Sequence, residues 1–129
     1  VHAAHLPGSA VVTTPQGVSV SDVRKAVGMF RQLKIRVLGV IENMSHFVCG
    51  HCGERTEIFG NGGGRVMATE VGVPFLGEVP IETRVRQGGD EGRPIVVAEP
   101  ESPAARAFRE VARQVAAQAS IAAVEASEG

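Results

Sequence analysis

This 129-residue sequence holds only two cysteines, two lysines and two aspartates, and no long apolar run. Each scarcity removes a class of function. Cysteines three positions apart close only a tiny ring, which stabilises little, so Cys49 and Cys52 do not make a disulfide framework. They read instead as a reduced pair able to hold metal. With 13 basic and 14 acidic residues interspersed and a formal net charge of -1, the chain carries no field that would draw in a polyanion, and nucleic acid is not an expected partner. No stretch suits a membrane span, and no basic start followed by an apolar segment marks a secretory signal. The expected compartment is the cytoplasm. Neither Lys25 nor Lys34 follows a glycine loop, and neither Asp22 nor Asp90 closes a hydrophobic strand where it would hold magnesium. The parts needed to hydrolyse a nucleotide are therefore not in this stretch.

The length fits one domain. The chain begins at Val1 rather than Met and runs almost at once into a strand pattern, which points to a piece of a longer protein. Residues 1–9, with His2, His5, Pro7 and Gly8 and no periodicity, read as a connector; 10–119 as the folded body; 120–129, alanine-rich, as a flexible tail. Ala10–Thr14 is a short β-branched run stopped by Pro15, as expected of a strand covered on both faces. From Ser19 or Ser21 as N-cap, Val23, Val27, Phe30 and Leu33 recur at helical spacing. Ile35–Ile41 is the second buried strand, and Glu42-Asn43-Met44 falls at its end, where ligands of open parallel sheets collect. A short helix over Arg65–Val71 ends at Gly72 and Pro74, and Phe75–Val79 is the third strand. A helix over Ile81–Gln87 is expected to close at Gly88-Gly89, with an extended piece at Pro94–Val97. Ser102-Pro103 opens the last helix, with serine as cap and proline at the first position, turning Ala107, Phe108, Val111 and Val115 inward. Strand alternates with helix throughout, which gives an α/β class with a mostly parallel sheet flanked by helices.

The densest chemistry lies in Cys49-Gly50-His51-Cys52-Gly53, between Phe47-Val48 and Thr56-Glu57-Ile58-Phe59. In such a knuckle the turn aims backbone N–H groups at the first sulfur, and the glycine after the second accepts the positive φ that the wrap requires. The β-branched and aromatic flanks suit a small hairpin that holds the loop away from the main sheet. A soft metal centre wants four ligands, as in tetrahedral zinc or a cubane cluster, and one chain brings two sulfurs. A second copy would complete the set across a two-fold axis. Three other readings stay open: cysteines as small hydrophobes in a turn, a redox dithiol, and zinc held within one chain with help from His46 or His51. The redox reading wants a helix after Cys52, where the sequence looks extended. Spacing alone does not separate zinc from iron–sulfur.

Gly60-Asn61-Gly62-Gly63-Gly64 precedes a helix and offers a weak anion-cradle signal, since free N–H groups gather there. It matches neither G-x-G-x-x-G nor the P-loop pattern, and a flexible joint after the hairpin is the favoured reading. Asn43 has an amide suited to a base edge, against a plain role as a turn residue. Pro80 is able to lie flat on a ring, or to serve as the first residue of a helix.

Taken in order, Val12-Thr13-Thr14-Pro15-Gln16, the Val37–Ser45 run, the knuckle, Thr56–Gly60, Gly72–Pro80 and Gly92–Val97 closely resemble the Mrp/ApbC family of iron–sulfur cluster carrier ATPases. The resemblance covers roughly residues 7 to 117 and corresponds to the C-terminal half of that family's domain, without its deviant Walker A loop, catalytic aspartate and switch segments. It implies a MinD-like P-loop NTPase fold and a homodimer, with a 4Fe–4S cluster bridged by Cys49 and Cys52 of each subunit. It further implies an adenine contact at Asn43, a base pocket lined from Pro80, ATP and magnesium held only with the other half, and transfer of the cluster to apoproteins. This stretch alone is expected to be inactive as an ATPase, and its uncovered edges are expected to favour association. The competing functional readings are a zinc-bridged or metal-free dimerisation module and a thiol oxidoreductase.

Overall fold

β-Branched runs and amphipathic stretches alternate along the chain, and the computed structural model, which describes residues 6–128, turns them into strands and helices in that order. His2 and His5, in the expected connector, lie outside the described residues, as does Gly129. Ser9–Thr13 forms β1, Gly17–Gln32 α1 and Val37–Glu42 β2; the short strands β3 and β4 are Phe47–Val48 and Arg55–Thr56. Then come α2 at Gly63–Val71, β5 at Phe75–Glu78, α3 at Thr83–Glu91, α4 at Ile95–Ala98 and α5 at Pro103–Glu128. β2 lies between β1 and β5 and pairs parallel with both, Val12 opposite Ile41 and Glu42 opposite Glu78. Parallel strands need crossovers, and α1 and α2 supply them. Among the described residues no helix is long and apolar enough to cross a membrane.

The main core joins Val11 of β1, Val27 of α1, Val40 of β2 and Met67 and Ala68 of α2, with Phe30 and Phe75 packed around them. Each large side chain fully buried in this way contributes about 1.5–3 kcal/mol. A second cluster, Ile95 with Ala104, Ala105 and Val85, fastens α3 and α4 to the start of α5.

Five expectations are corrected. Helix α1 starts at Gly17 with Gln16 at its N-cap; the Ser19 hydroxyl turns back instead, accepting the Thr14 N–H at 3.0 Å and meeting the Thr13 hydroxyl. Helix α3 starts at Thr83, past Pro80, and runs through Gly88-Gly89 to end at Gly92, whose φ of 71° suits a C-cap. Residues 95–98 are helical rather than extended, because that turn brings Ile95 onto Ala104 and Ala105. In α5 the buried residues are Ala104, Ala105, Val111 and Ala122, while Phe108 is exposed. The stretch from Ser120 is helical to Glu128: Ala122 is buried and Glu125 pairs with Arg36. Ser102 does cap α5, accepting the Ala105 N–H at 3.1 Å.

Candidate functional site

β3 and β4 pair antiparallel, Phe47 opposite Thr56 and Val48 opposite Arg55, and the cysteine knuckle is the loop between them. Its backbone closes on itself: the Cys49 N–H donates to the Glu54 carbonyl at 2.9 Å, and the Gly53 N–H to the Cys49 carbonyl at 2.9 Å. Gly53 takes a φ of 75°, the left-handed conformation expected after the second cysteine. The His51 N–H points at Cys49 Sγ from 3.4 Å. Cys49 is half-buried, Cys52 exposed, and both are free thiols. Hydrogen bonds to the Cys49 sulfur from the Cys52 N–H, the His51 N–H and the Cys52 thiol pull its pKa below the ordinary thiol value, against opposition from burial and Glu54.

The hairpin forms a two-stranded sheet of its own, as expected, and its root is tied to the chain beyond β5. The Val48 N–H donates to the Ile81 carbonyl at 3.4 Å and the Ile81 N–H to the His46 carbonyl at 2.6 Å, so β3 is laced to the segment that follows β5. A cavity of about 250 Å³ opens beside the knuckle, lined by Cys49, Gly53, Glu82, Arg84 and Pro103 among others. No group of three or more His, Cys, Asp or Glu side chains is placed to hold a metal ion among the described residues. His46 is turned inward, its Nδ1 buried without a partner. Burial, then the Arg55 charge, lowers its pKa, while Glu78, Glu57 and Glu42 act the other way. The residues after Cys52 enter strand β4, which withholds the helix N-terminus that a redox dithiol of low pKa would use.

Asn43 and Pro80 come to one end of the sheet. Asn43 follows β2, exposed, with its N–H on the Thr13 carbonyl at 2.7 Å. Pro80 follows the neighbouring β5 and is buried. Between them lies a buried polar cluster. The Glu42 side chain is 0% exposed, and its Oε1 accepts the Gly64 N–H at 2.8 Å. Ser45 Oγ lies 2.6 Å from Glu42 Oε2 and 2.8 Å from Glu78 Oε2, and Arg55 of β4 reaches Glu78 at 3.7 Å.

At its helix end the glycine run is therefore packed rather than open to a phosphate, while Gly60 and Gly62 stand in open space. The N–H at the start of α2 already serves a carboxylate of the chain itself. A Cβ at Gly63 would sit 2.7 Å from the Pro15 carbonyl oxygen, and one at Gly64 would press on Thr13 and Glu42 at 3.1–3.2 Å, so these glycines permit close packing. Lys25 lies within α1 and Lys34 just beyond it, at a φ of 57°. Neither is set at a glycine loop.

A family model described as ParA, NUBPL iron-transfer P-loop NTPase, matches residues 1–116. The chain belongs to that family. The iron-sulfur cluster transfer protein NUBPL of Dictyostelium discoideum is 42% identical over 116 residues, covering 90% of this chain and 36% of that protein. The iron-sulfur cluster carrier protein of Synechocystis is 46% identical over 120 residues, covering 92% of this chain and 34% of that protein. Among solved structures, the septum site-determining protein MinD of Pyrococcus horikoshii, complexed with Mg-ADP, matches at a TM-score of 0.64 and 26% identity, over 89% of this chain and 44% of its own. The fold is that of MinD-like P-loop ATPases, and the chain spans about a third of the length of these two carrier relatives. Within this member of the iron-transfer family, the knuckle and the Glu42 cluster both fall inside the matched residues. The sequence marked the end of β2 as a place for ligands, but not Ser45 or Glu78, because their meeting depends on contacts 33 residues apart.

Proposed function

We propose that this chain is the cargo-holding part of an iron–sulfur cluster carrier, in which Cys49 and Cys52 of two copies bridge a 4Fe–4S cluster for delivery to apoproteins. One observation carries it: two accessible thiols share a preformed loop, with backbone N–H groups aimed at the first sulfur and no third ligand beside them among the described residues. Thiolate sulfur suits iron–sulfur chemistry, and two more sulfurs must come from elsewhere. A two-fold partner presents the same loop and is the simplest source. Reduced thiols of this kind fit the cytoplasm.

Asn43, exposed at the sheet end, fits a hydrogen-bonding role toward adenine, with the segment from Pro80 beside it. The residues of this chain do not fit the phosphates of ATP, since the Gly64 N–H is taken by Glu42 and no lysine attends the glycine run. ATP and magnesium thus belong to the further length that the relatives possess.

Anaerobic reconstitution with iron and sulfide tests the reading. Two cysteines per chain and four per cubane give about two irons per chain, a broad visible absorption and a dimer on sizing. Cys49→Ser and Cys52→Ser each abolish all three. A monomer that stays metal-free, or stoichiometric zinc with no visible absorption, refutes it; the zinc result would favour a dimerisation module.

A further inference from the structure

We propose that Ser45 is a positioning residue for the sulfur loop: its hydroxyl, set between two carboxylates, locks the root of the hairpin to the end of the parallel sheet and so fixes where the thiols point. The inference rests on the reading that Cys49 and Cys52 hold the cargo.

Ser45 is 2% exposed and stands two residues before β3. Three contacts meet on it, and two more extend from its carboxylate partners. Its N–H donates to the Val79 carbonyl at 3.1 Å, and its Oγ lies between Glu42 and Glu78. Glu42 is in turn held by the Gly64 N–H at the start of α2. Glu78 reaches Arg55 on β4, three residues after Cys52. One line of contacts thus runs from the helix start, through two carboxylates and a hydroxyl, to the strand that leaves the knuckle.

Burying a carboxylate and a hydroxyl costs stability unless each is hydrogen-bonded, and a satisfied polar cluster specifies direction in a way that an apolar contact does not. The Arg55–Glu78 pair is half-exposed and 3.7 Å long, too weak to set the loop alone. The weight falls on Ser45. A serine hydroxyl has one proton, which it gives to Glu42 or to Glu78 in turn, and without it neither carboxylate would find a donor at this point. Backbone contacts with Ile81 anchor β3 directly, whereas β4 is held through its pairing with β3 and through Arg55.

The test uses the 129-residue chain carrying Ser45→Ala, with Arg55→Gln as a second variant. Amide hydrogen exchange is followed at Cys49 and Gly53, whose N–H groups close the knuckle, and at core amides of α1 and β2. Ser45→Ala should raise exchange at the two knuckle amides at least about tenfold, the factor for losing a buried hydrogen bond to a charged group, while the core amides keep their protection. Arg55→Gln should do the same about two- to threefold, as fits a half-exposed pair. Iron retained after reconstitution should fall in the same order. Unchanged knuckle exchange in Ser45→Ala overturns the proposal, as does an equal loss of protection in knuckle and core. Should Ser45→Ala fail to fold, Glu78→Ala, which removes the half-exposed partner of the hydroxyl, decides: faster knuckle exchange beyond that of Arg55→Gln supports, an effect no larger than that of Arg55→Gln overturns. Should the exchange results come out as expected while the unmodified chain binds no iron, the positioning role stands and the carrier reading falls.

Discussion

With the N–H groups of Cys52 and His51 turned toward its sulfur, Cys49 keeps the thiolate form at lower pH than an ordinary thiol of pKa about 8.5. Its alkylation by iodoacetamide, followed by mass spectrometry across pH, should show a lower midpoint in the folded chain than in the urea-unfolded chain; an equal or higher midpoint would contradict the loop geometry. His46 makes a second case. Burial and then Arg55 depress its pKa, so the folded state prefers the neutral ring, opposed in part by Glu78, Glu57 and Glu42. The unfolded chain then binds the proton more readily, and the stability from keeping the ring neutral is fully present above a pH of about 6.5 and lost as pH falls toward the depressed value. Thermal melts should therefore fall more steeply below that pH in the unmodified chain than in His46→Gln, and equal slopes would refute it. The knuckle was legible in the sequence because its chemistry is local: sulfurs, N–H groups and Gly53 lie within five residues. The Glu42 cluster was not, since Gly64 and Glu42 are 22 residues apart and Ser45 and Glu78 are 33.

At the level of elements, buried parallel strands announced themselves as short β-branched runs, and α2 by Gly72 at its end. The misread pieces lie together at α3 and α4. Two adjacent glycines look like a stop, yet here Gly88 allows the chain to double back: a Cβ there would lie 2.3 Å from the Arg93 carbonyl oxygen, while one at Gly89 meets nothing within 4 Å. A pattern reading sees two equal glycines, and only packing separates them. Gly88→Ala should cost about 1–3 kcal/mol through overpacking against backbone, whereas Gly89→Ala, mid-helix with open space around it, should stabilise by about 0.5–1 kcal/mol. Urea denaturation of the two variants checks this, and two shifts of the same sign would refute it. Residues 95–98 were misjudged for a related reason: Ile-Val-Val favours a strand locally, and burial of Ile95 against the α5 start overrides it.

For the molecule as a whole, a sheet of three parallel strands is narrow, and β1 and β5 each pair only with β2 among the described residues. Val12 of β1 is 54% exposed and Val18, at the start of α1, 72%, a combination that invites a neighbouring strand. Light scattering of the metal-free chain should rise with concentration, and Val12→Lys should reduce it; insensitivity to that change would mean that the edge is not responsible. Phosphate release assays should find no ATP turnover by the 129-residue chain, because no lysine or strand-end aspartate is placed to act on a γ-phosphate. Measurable turnover that Asn43→Ala abolishes would overturn that account. The self-closed backbone of the knuckle bears on how a courier works. Because Cys49, Gly53 and Glu54 hold the turn through their own amides and carbonyls, the proposed grip would not have to be rebuilt when its load departs. In the carrier proposed above, an empty hand that keeps its shape would be refilled with little reorganisation, and the barrier to unloading would lie chiefly in breaking iron–sulfur bonds rather than in refolding the protein around them.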